Sequence, residues 1–97
     1  MSVKVILELH VQPEFVEQVK AGFREFLVDT RAREGCEEVA VLQSQNDPDI
    51  LVVLQQWATR SAYESYLTWR TDRGDIANIA TFSSAPHSVS FYDYVPA

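Results

Sequence analysis

The sequence predicts an α+β domain of the ferredoxin-like split βαββαβ type, in which a four-stranded antiparallel sheet carries helices on one face. Two observations predict it. Apolar residues recur first with a period of two, typical of strands, and then with the longer period of helices. These segments follow the order strand, helix, strand, strand, helix, strand, with the second helix broken in two. No repeat interrupts the order, so a single domain over residues 1–97 is expected.

Residues 3–11, VKVILELHV, alternate almost throughout between apolar and polar side chains, which predicts the first strand. A long helix follows from Pro13, a residue suited to a first helical turn, and it carries one continuous apolar stripe. Arg31 and Arg33 complement the C-terminus of this helix, and Gly35 is suited to a left-handed cap.

Residues 38–45, EVAVLQSQ, and residues 50–57, ILVVLQQW, are predicted to be the second and third strands. The sequence NDPD at 46–49 has turn chemistry, so the two strands form a hairpin. The first and third strands are apolar at most positions, which indicates that the second face of the sheet is covered as well. A homodimer that stacks two sheets would supply this cover.

The second helix is predicted over residues 62–70, with Thr59 or Ser61 as its N-cap. A further short helix is expected to open at Thr71 or Asp72. Its glycine is a local weakness, because glycine is a poor helix former.

Residues 87–95, HSVSFYDYV, predict the last strand, after an irregular stretch that ends at Pro86. This strand is rich in aromatic side chains. Phe91, Tyr92 and Tyr94 are therefore expected to contribute to the homodimer contact.

The composition restricts the partners of the protein. Its formal net charge is -6, and binding to nucleic acid depends on neutralising phosphates with Lys and Arg, so no nucleic acid is expected. No apolar stretch approaches membrane-spanning length, and the first ten residues lack a secretion-signal pattern, so no membrane is expected as a partner and a cytoplasmic location is expected. The single cysteine, Cys36, agrees with a reducing compartment.

Several features occur in a recognisable joint order. They are an R-x-x-x-G-C step from Arg31 to Cys36, a D-P turn, and a third strand that ends in Trp57 before a short helix. Together they resemble the antibiotic biosynthesis monooxygenase superfamily. The segment QQWATRSAY is most similar to the aromatic-polyketide monooxygenases, where a Gln-Trp pair precedes a Tyr, here Gln56, Trp57 and Tyr63. The resemblance implies a dimeric α+β barrel that oxidises a phenolic, hydroquinone or anthrone-type ring with molecular oxygen and without a cofactor.

The chain also departs from that pattern. The polyketide enzymes carry an Asn four residues before the Trp, and this chain has Val53 there. Many relatives have E-x-W at the end of the third strand and a His nine residues after the Trp, where this chain has Gln55 and Tyr66. The haem-degrading branch needs an axial His and a first-strand Asn, and neither stands out, so haem is not expected.

The periodicity places the aromatic residues independently of the resemblance. At 100° per residue, Tyr63, Tyr66 and Arg70 fall on the inward side of the second helix, and Trp69 lies at its margin. A set of aromatic walls with a few directed polar groups suits a planar phenolic substrate. We expect Arg70 to favour a phenolate and a developing peroxide anion.

The resulting site hypothesis has two parts. The expected catalytic residues are Trp57, Tyr63 and His10, and the expected substrate-binding residues are Gln55, Tyr66, Trp69 and Arg70. His10 or His87 would remove the first proton, since a neutral imidazole is a suitable base near pH 7. No metal ligand set is expected.

Each assignment has a simpler interpretation. Aromatic residues at helical spacing often only fill a core, and Arg70 would then run past the rings to the helix C-terminus. His10 would be an ordinary polar residue of a strand. The alternative function is a non-catalytic dimeric module that binds a small aromatic metabolite or regulates a neighbouring protein.

Overall fold

The computed structural model describes residues 2–97 of the protein. In chain order its elements are β1 (Val3–Val11), a 3₁₀ turn (Pro13–Phe15), α1 (Val16–Ala32), β2 (Cys36–Gln43), β3 (Ile50–Trp57), α2 (Arg60–Asp72), α3 (Asp75–Thr81) and β4 (Ser83–Tyr92). The strands form one antiparallel sheet in the order β2-β3-β1-β4. The predicted ferredoxin-like α+β class is confirmed.

The core lies between one face of the sheet and the helices. Every second residue of β3 is buried on that face, from Leu51 to Trp57. The β1–β3 register places Leu9 opposite Leu51 and Val5 opposite Gln55, so both central strands turn apolar side chains to the same side. One buried cluster gathers around α1, and a second one around α2 and Trp57.

Two strands begin earlier than predicted. Strand β2 covers Cys36–Gln43 and not residues 38–45, and β4 begins at Ser83 although Pro86 was expected to precede the strand. Proline is tolerated inside β4 because this strand is at the edge of the sheet, where a missing N–H removes no essential ladder bond. The β1–β4 register also shifts at this point, between the pairs Glu8–Ser88 and His10–Ala85.

The junction of α2 and α3 also differs from the prediction. The N-cap of α2 is Thr59, whose hydroxyl accepts the Ala62 N–H at 3.1 Å, so Ser61 is not the cap. Helix α2 continues to Asp72, and α3 begins only after Gly74, whose φ of 83° is left-handed. The short helix therefore opens later than predicted, because the chain turns at the glycine.

Gly35 joins α1 to β2 with a left-handed φ of 89°, but it is not the predicted cap of the helix. The C-cap of α1 is Arg33, which is extended, and Gly35 belongs to the turn that follows, in which the Cys36 N–H donates to the Arg33 carbonyl at 3.1 Å. A Cβ atom built here would lie 2.6 Å from the Cβ of Ala62 in α2. Only glycine therefore allows α2 to approach this turn so closely. The contact helps to set the position of the helix that carries Tyr63 and Tyr66.

Among residues 2–97, no helix packs on the other face of the sheet. Ile6, Val52 and Leu54 lie on it half-buried, and Lys4 pairs there with Glu38 at 3.4 Å. In residues 2–97, no helix combines the length and the apolar character that crossing a membrane requires.

Candidate functional site

A cleft between the helices and the sheet contains a mostly apolar cavity. This outer pocket has a volume of about 300 Å³ and lies between α1, α3 and the end of β1. None of the side chains that line it is charged. They are Leu9, Val11, Gln18, Val19, Gly22, Phe23, Phe26, Asn78, Ile79, Phe82 and Ser83.

A second cavity lies deeper, between α1, α2 and the middle of the sheet. This inner chamber has a volume of about 40 Å³. It shares the side chains of Phe23, Phe26 and Ile79 with the outer pocket, so these three residues, named the partition, mark where the two spaces adjoin. Its polar walls come from Thr30, Gln55, Tyr63, Tyr66 and Arg70.

Trp57 is fully buried at the end of β3, and its indole N–H donates to Oε1 of Gln55 at 2.9 Å. The indole N–H is a donor only, so this bond fixes which end of the Gln55 amide is the oxygen. The Gln55 NH₂ group is therefore directed elsewhere, and Gln55 lines the inner chamber. Trp57 itself lines neither the outer pocket nor the inner chamber.

Tyr63 connects the aromatic cluster to the cavities. Its ring packs edge-on against Trp57, at 5.8 Å between centroids, and against Phe91 at 5.5 Å. Burial, with a further contribution from Tyr66, raises the pKa of Tyr63 to about 12. At neutral pH Tyr63 is thus a protonated phenol, and its hydroxyl is a hydrogen-bond donor.

Arg70 is buried, with 2% of its surface exposed, and its guanidinium group ties three helices together. Nε donates to the Tyr66 hydroxyl at 3.0 Å, and Nη1 donates to Asp75 at 2.9 Å. Nη2 donates to the Phe26 carbonyl at 2.7 Å and to the Thr30 hydroxyl at 3.1 Å. Four of its five N–H groups are therefore used within the protein.

Tyr66 and Thr30 belong to the same network. Their hydroxyl groups lie 2.8 Å apart and share a hydrogen bond, while each also accepts from Arg70. The guanidinium carbon further lies 3.6 Å from the centre of the Phe26 ring. Arg70 therefore holds one member of the partition by both its ring and its backbone.

Trp69 lies outside the two cavities. Three guanidinium carbons, those of Arg33, Arg70 and Arg73, each lie 4.8 Å from its ring centre. The structure therefore brings Tyr63, Tyr66, Gln55 and Arg70 together around the inner chamber. Trp69 does not line the chamber and packs against Arg70 and Tyr66.

The two histidines lie on opposite faces of the sheet. His10 is on the outer face, where its Nε2 lies 3.2 Å from the Glu8 carboxylate, and it does not join the other predicted site residues. His87 lies on the helix side and lines a small cavity of about 30 Å³ together with Tyr63. Of the two candidate bases, His87 is the one that lies near Tyr63.

The sequence analysis did not identify the partition residues, nor Asp75 as the carboxylate that binds Arg70. Phe23, Phe26 and Thr30 belong to the predicted apolar stripe of α1, but the pattern alone did not separate cavity walls from core. Asp75 follows the turn at Gly74, and only the angle between α2 and α3 brings it to Arg70. Within the described chain, no group of three or more His, Cys, Asp or Glu side chains is placed to hold a metal ion.

Comparisons with known proteins agree with this architecture. A family model described as antibiotic biosynthesis monooxygenase matches residues 2–69. A solved structure named as an antibiotic biosynthesis monooxygenase is 24% identical, with a TM-score of 0.85 over 97% of this chain and 99% of that one. No curated protein sequence matches significantly.

Two further solved structures share the fold. A conserved protein of Methanosarcina mazei Go1 is 18% identical, with a TM-score of 0.86 over 95% of this chain and 91% of that one. A protein of Mycobacterium tuberculosis is 20% identical, with a TM-score of 0.79 over 100% of this chain and 98% of that one. At these identities the likeness concerns the fold.

Proposed function

Because this chain belongs to the antibiotic biosynthesis monooxygenase family, we propose that it is a monooxygenase that oxidises a small aromatic substrate with molecular oxygen. The substrate class is a phenol, hydroquinone or anthrone-type ring, and no cofactor takes part. The observation that carries the proposal is the outer pocket, an uncharged space of ring size that adjoins a chamber with polar walls.

The outer pocket suits a planar organic molecule. Its volume of about 300 Å³ is at the lower end of the range for small-molecule sites. Phe23, Phe26 and Phe82 supply aromatic walls, and Gln18 and Asn78 are polar groups able to orient a substituent. Because no lining side chain is charged, the substrate enters this pocket as a neutral molecule.

For an anthrone-type ring, the proposed reaction balances without an external reductant. A base removes a proton from a ring carbon that carries two hydrogens, and the resulting anion gives its electrons to dioxygen as a C–O bond forms. The O–O bond of the peroxide then breaks, so that one oxygen remains as a carbonyl group and the other leaves as water. The ring carbon loses four electrons in total, and these reduce both atoms of dioxygen.

We assign roles to the site residues on their positions. His87 is proposed as the base in preference to His10, because His87 shares a small cavity with Tyr63. Trp57 acts as a positioning residue, since its N–H orients the Gln55 amide. Arg70 acts through Tyr66 and Phe26, because its donors are almost all used by the protein.

The test is oxygen uptake with dithranol and a short panel of hydroquinones. We expect uptake above the uncatalysed background with the native protein. Tyr63→Phe keeps the ring and removes the hydroxyl, so kcat is expected to fall by about 10²-fold or more, as for loss of a donor to developing negative charge. Trp57→Phe is expected to lower the rate less, because it frees the Gln55 amide without removing it. Absence of uptake across the panel would contradict the proposal.

One observation favours the second candidate function, a binding module without catalysis. Val53 lies at the chamber wall where the polyketide enzymes are expected to carry Asn, and valine offers no hydrogen bond. Such a module would bind the same aromatic panel, as measured by quenching of tryptophan fluorescence, without consuming oxygen.

We also propose that the chain is a homodimer that stacks two sheets through their outer faces. The support is the half-buried apolar strip formed by Ile6, Val52 and Leu54, which lies on the face that no helix covers. A single domain of this size buries a modest core, and the second copy would add to it. Sedimentation at micromolar concentration should give a dimer, and a monomer alone would overturn this proposal.

A further inference from the structure

The inner chamber is too small for the substrate ring but large enough for a smaller molecule. A cavity holds one water when its accessible volume reaches about 10–15 Å³, and drug-sized ligands need at least about 300 Å³. The chamber has about 40 Å³. Its size therefore fits a molecule of two heavy atoms and excludes an aromatic ring.

The polar walls of the chamber divide into occupied and available groups. Arg70, Tyr66 and Thr30 bind one another, and Arg70 also binds Asp75 and the Phe26 carbonyl. These side chains have little hydrogen-bonding capacity left for a ligand.

Two donors are available. The Gln55 oxygen is taken by the Trp57 indole, and no protein acceptor binds the Gln55 NH₂ group among the described residues. The Tyr63 hydroxyl likewise has no hydrogen-bond partner within residues 2–97. Both side chains are at least nine-tenths buried, with 4% and 3% of their surfaces exposed. Within residues 2–97, no fully enclosed side-chain nitrogen or oxygen atom lacks a hydrogen-bond partner, so the Gln55 NH₂ group and the Tyr63 hydroxyl are each accessible to a small molecule. Both side chains line the chamber.

The remaining wall is aliphatic or aromatic. Leu7, Leu27, Val53 and Leu67 line it in addition to the partition residues. Water is retained in a cavity by two to four polar partners, so this chamber offers it only the minimum. A small molecule that is nonpolar until it gains electrons, and becomes a strong hydrogen-bond acceptor only then, matches an apolar wall with two donors.

From these observations we propose that the inner chamber is a dioxygen site, in which Gln55 and Tyr63 donate hydrogen bonds to the oxygen anion formed when the ring transfers its electrons. Dioxygen as the ligand rests on the proposed oxygenase function. The aromatic ring would occupy the outer pocket with its reacting carbon at the boundary marked by Phe23, Phe26 and Ile79, so that it meets the dioxygen where the C–O bond forms. The hydrogen bonds from Gln55 and Tyr63 become stronger as negative charge develops on the oxygen, because charge-assisted hydrogen bonds are about twice as strong as neutral ones.

Filling the chamber tests the proposal. Val53→Ile adds one methylene group at the chamber wall, while Val28→Ile adds the same group on the exposed side of α1 and is the matched control. In steady-state assays at varied oxygen, Val53→Ile should raise the KM for oxygen about tenfold or more, the usual penalty of a misfitted methylene. The KM for the aromatic substrate should remain as in Val28→Ile.

A second measurement does not depend on turnover. Crystals of the native protein under xenon pressure should show a xenon atom in the chamber, since xenon enters closed apolar cavities, and crystals of Val53→Ile should not. An ordered water that persists under xenon, or an equal KM for oxygen in both variants, would overturn the dioxygen site. If xenon binds in the chamber but the protein takes up no oxygen with any aromatic substrate, the proposed oxygenase function is contradicted. The chamber is then established only as a cavity of gas-molecule size.

Discussion

Arg70 and Arg73 allow a direct comparison of a buried and an exposed arginine that share one partner. Both bind the same Oδ2 atom of Asp75, at 2.9 and 3.2 Å, and both stack on Trp69 at 4.8 Å. They differ in burial, because 2% of the Arg70 side chain is exposed and 52% of that of Arg73. Replacing each by methionine keeps a long apolar stem and removes the charge.

The two substitutions should therefore have unequal costs. Arg70→Met removes donors from the Tyr66 and Thr30 hydroxyls and from the Phe26 carbonyl, and it leaves Asp75 with only the exposed partner. We expect a loss of about 2–4 kcal/mol in the free energy of unfolding, given the usual cost of unsatisfied buried groups and broken buried pairs. Arg73→Met should cost less than about 1 kcal/mol, as exposed pairs do.

Urea denaturation and thermal melting measure both effects. For a domain of this size the Arg70→Met loss corresponds to a fall in Tm of roughly 10–25 °C, against less than about 5 °C for Arg73→Met. Arg70→Lys, which keeps the charge with fewer donors, should lie between them. Equal losses for the two methionine variants would refute the assignment of Arg70 as the tie between α1, α2 and α3. Loss of aromatic binding by Arg70→Met with unchanged stability would show a direct substrate contact instead.

Three further predictions follow from local geometry. The Tyr63 pKa, raised to about 12 from its ordinary value near 10, means that the folded state holds this proton more tightly. The resulting stability is present below pH 10 and is lost between about pH 10 and 12, on the order of 2 kcal/mol. Tyr63→Phe should therefore show a shallower loss of stability in urea titrations over that range, and an unchanged slope would contradict the assignment. Gly35→Ala should cost about 2–4 kcal/mol, because it adds a clash with α2 to the cost of a left-handed residue. Gly74 has a similar φ, but a Cβ added there would meet no atom, so Gly74→Ala should cost only about 1–2 kcal/mol. Equal losses of stability for the two alanine variants would exclude the clash at Gly35. Leu54→Glu, at the centre of the outer face, should dissociate the homodimer in sedimentation experiments, whereas Val28→Glu on the exposed side of α1 should not.

Much of the fold follows from periodicity, because burial on one side of a strand or helix leaves a regular trace in the sequence. The structure accordingly places Tyr63, Tyr66 and Arg70 on the buried side of α2, as the helical spacing predicts. The predicted start of β4 was wrong, because the strand already begins before Pro86. Proline disrupts a central strand but is tolerated in β4, which lies at the edge of the sheet.

The cavities could not be predicted in the same way. The volume of the inner chamber depends on how closely three elements pack, and the approach of α2 depends on the missing Cβ of Gly35. A periodic pattern records which side chains face inward, but it does not record gaps between them. The available donor of Gln55 is visible only once the Trp57 N–H is seen to bind the amide oxygen.

Oxygen consumption by two variants of Gly22 tests most directly whether aromatic oxidation takes place in this cleft. Gly22 lines the outer pocket, and a Cβ added there meets no atom within 4 Å. Both Gly22→Ala and Gly22→Leu should remain folded, since either residue favours a helix over glycine by about 0.5–1 kcal/mol. With dithranol, Gly22→Ala should keep the native kcat/KM within about twofold, and Gly22→Leu, which fills the pocket, should lose about tenfold or more. Equal rates for the two variants would contradict the outer pocket as the site of the ring.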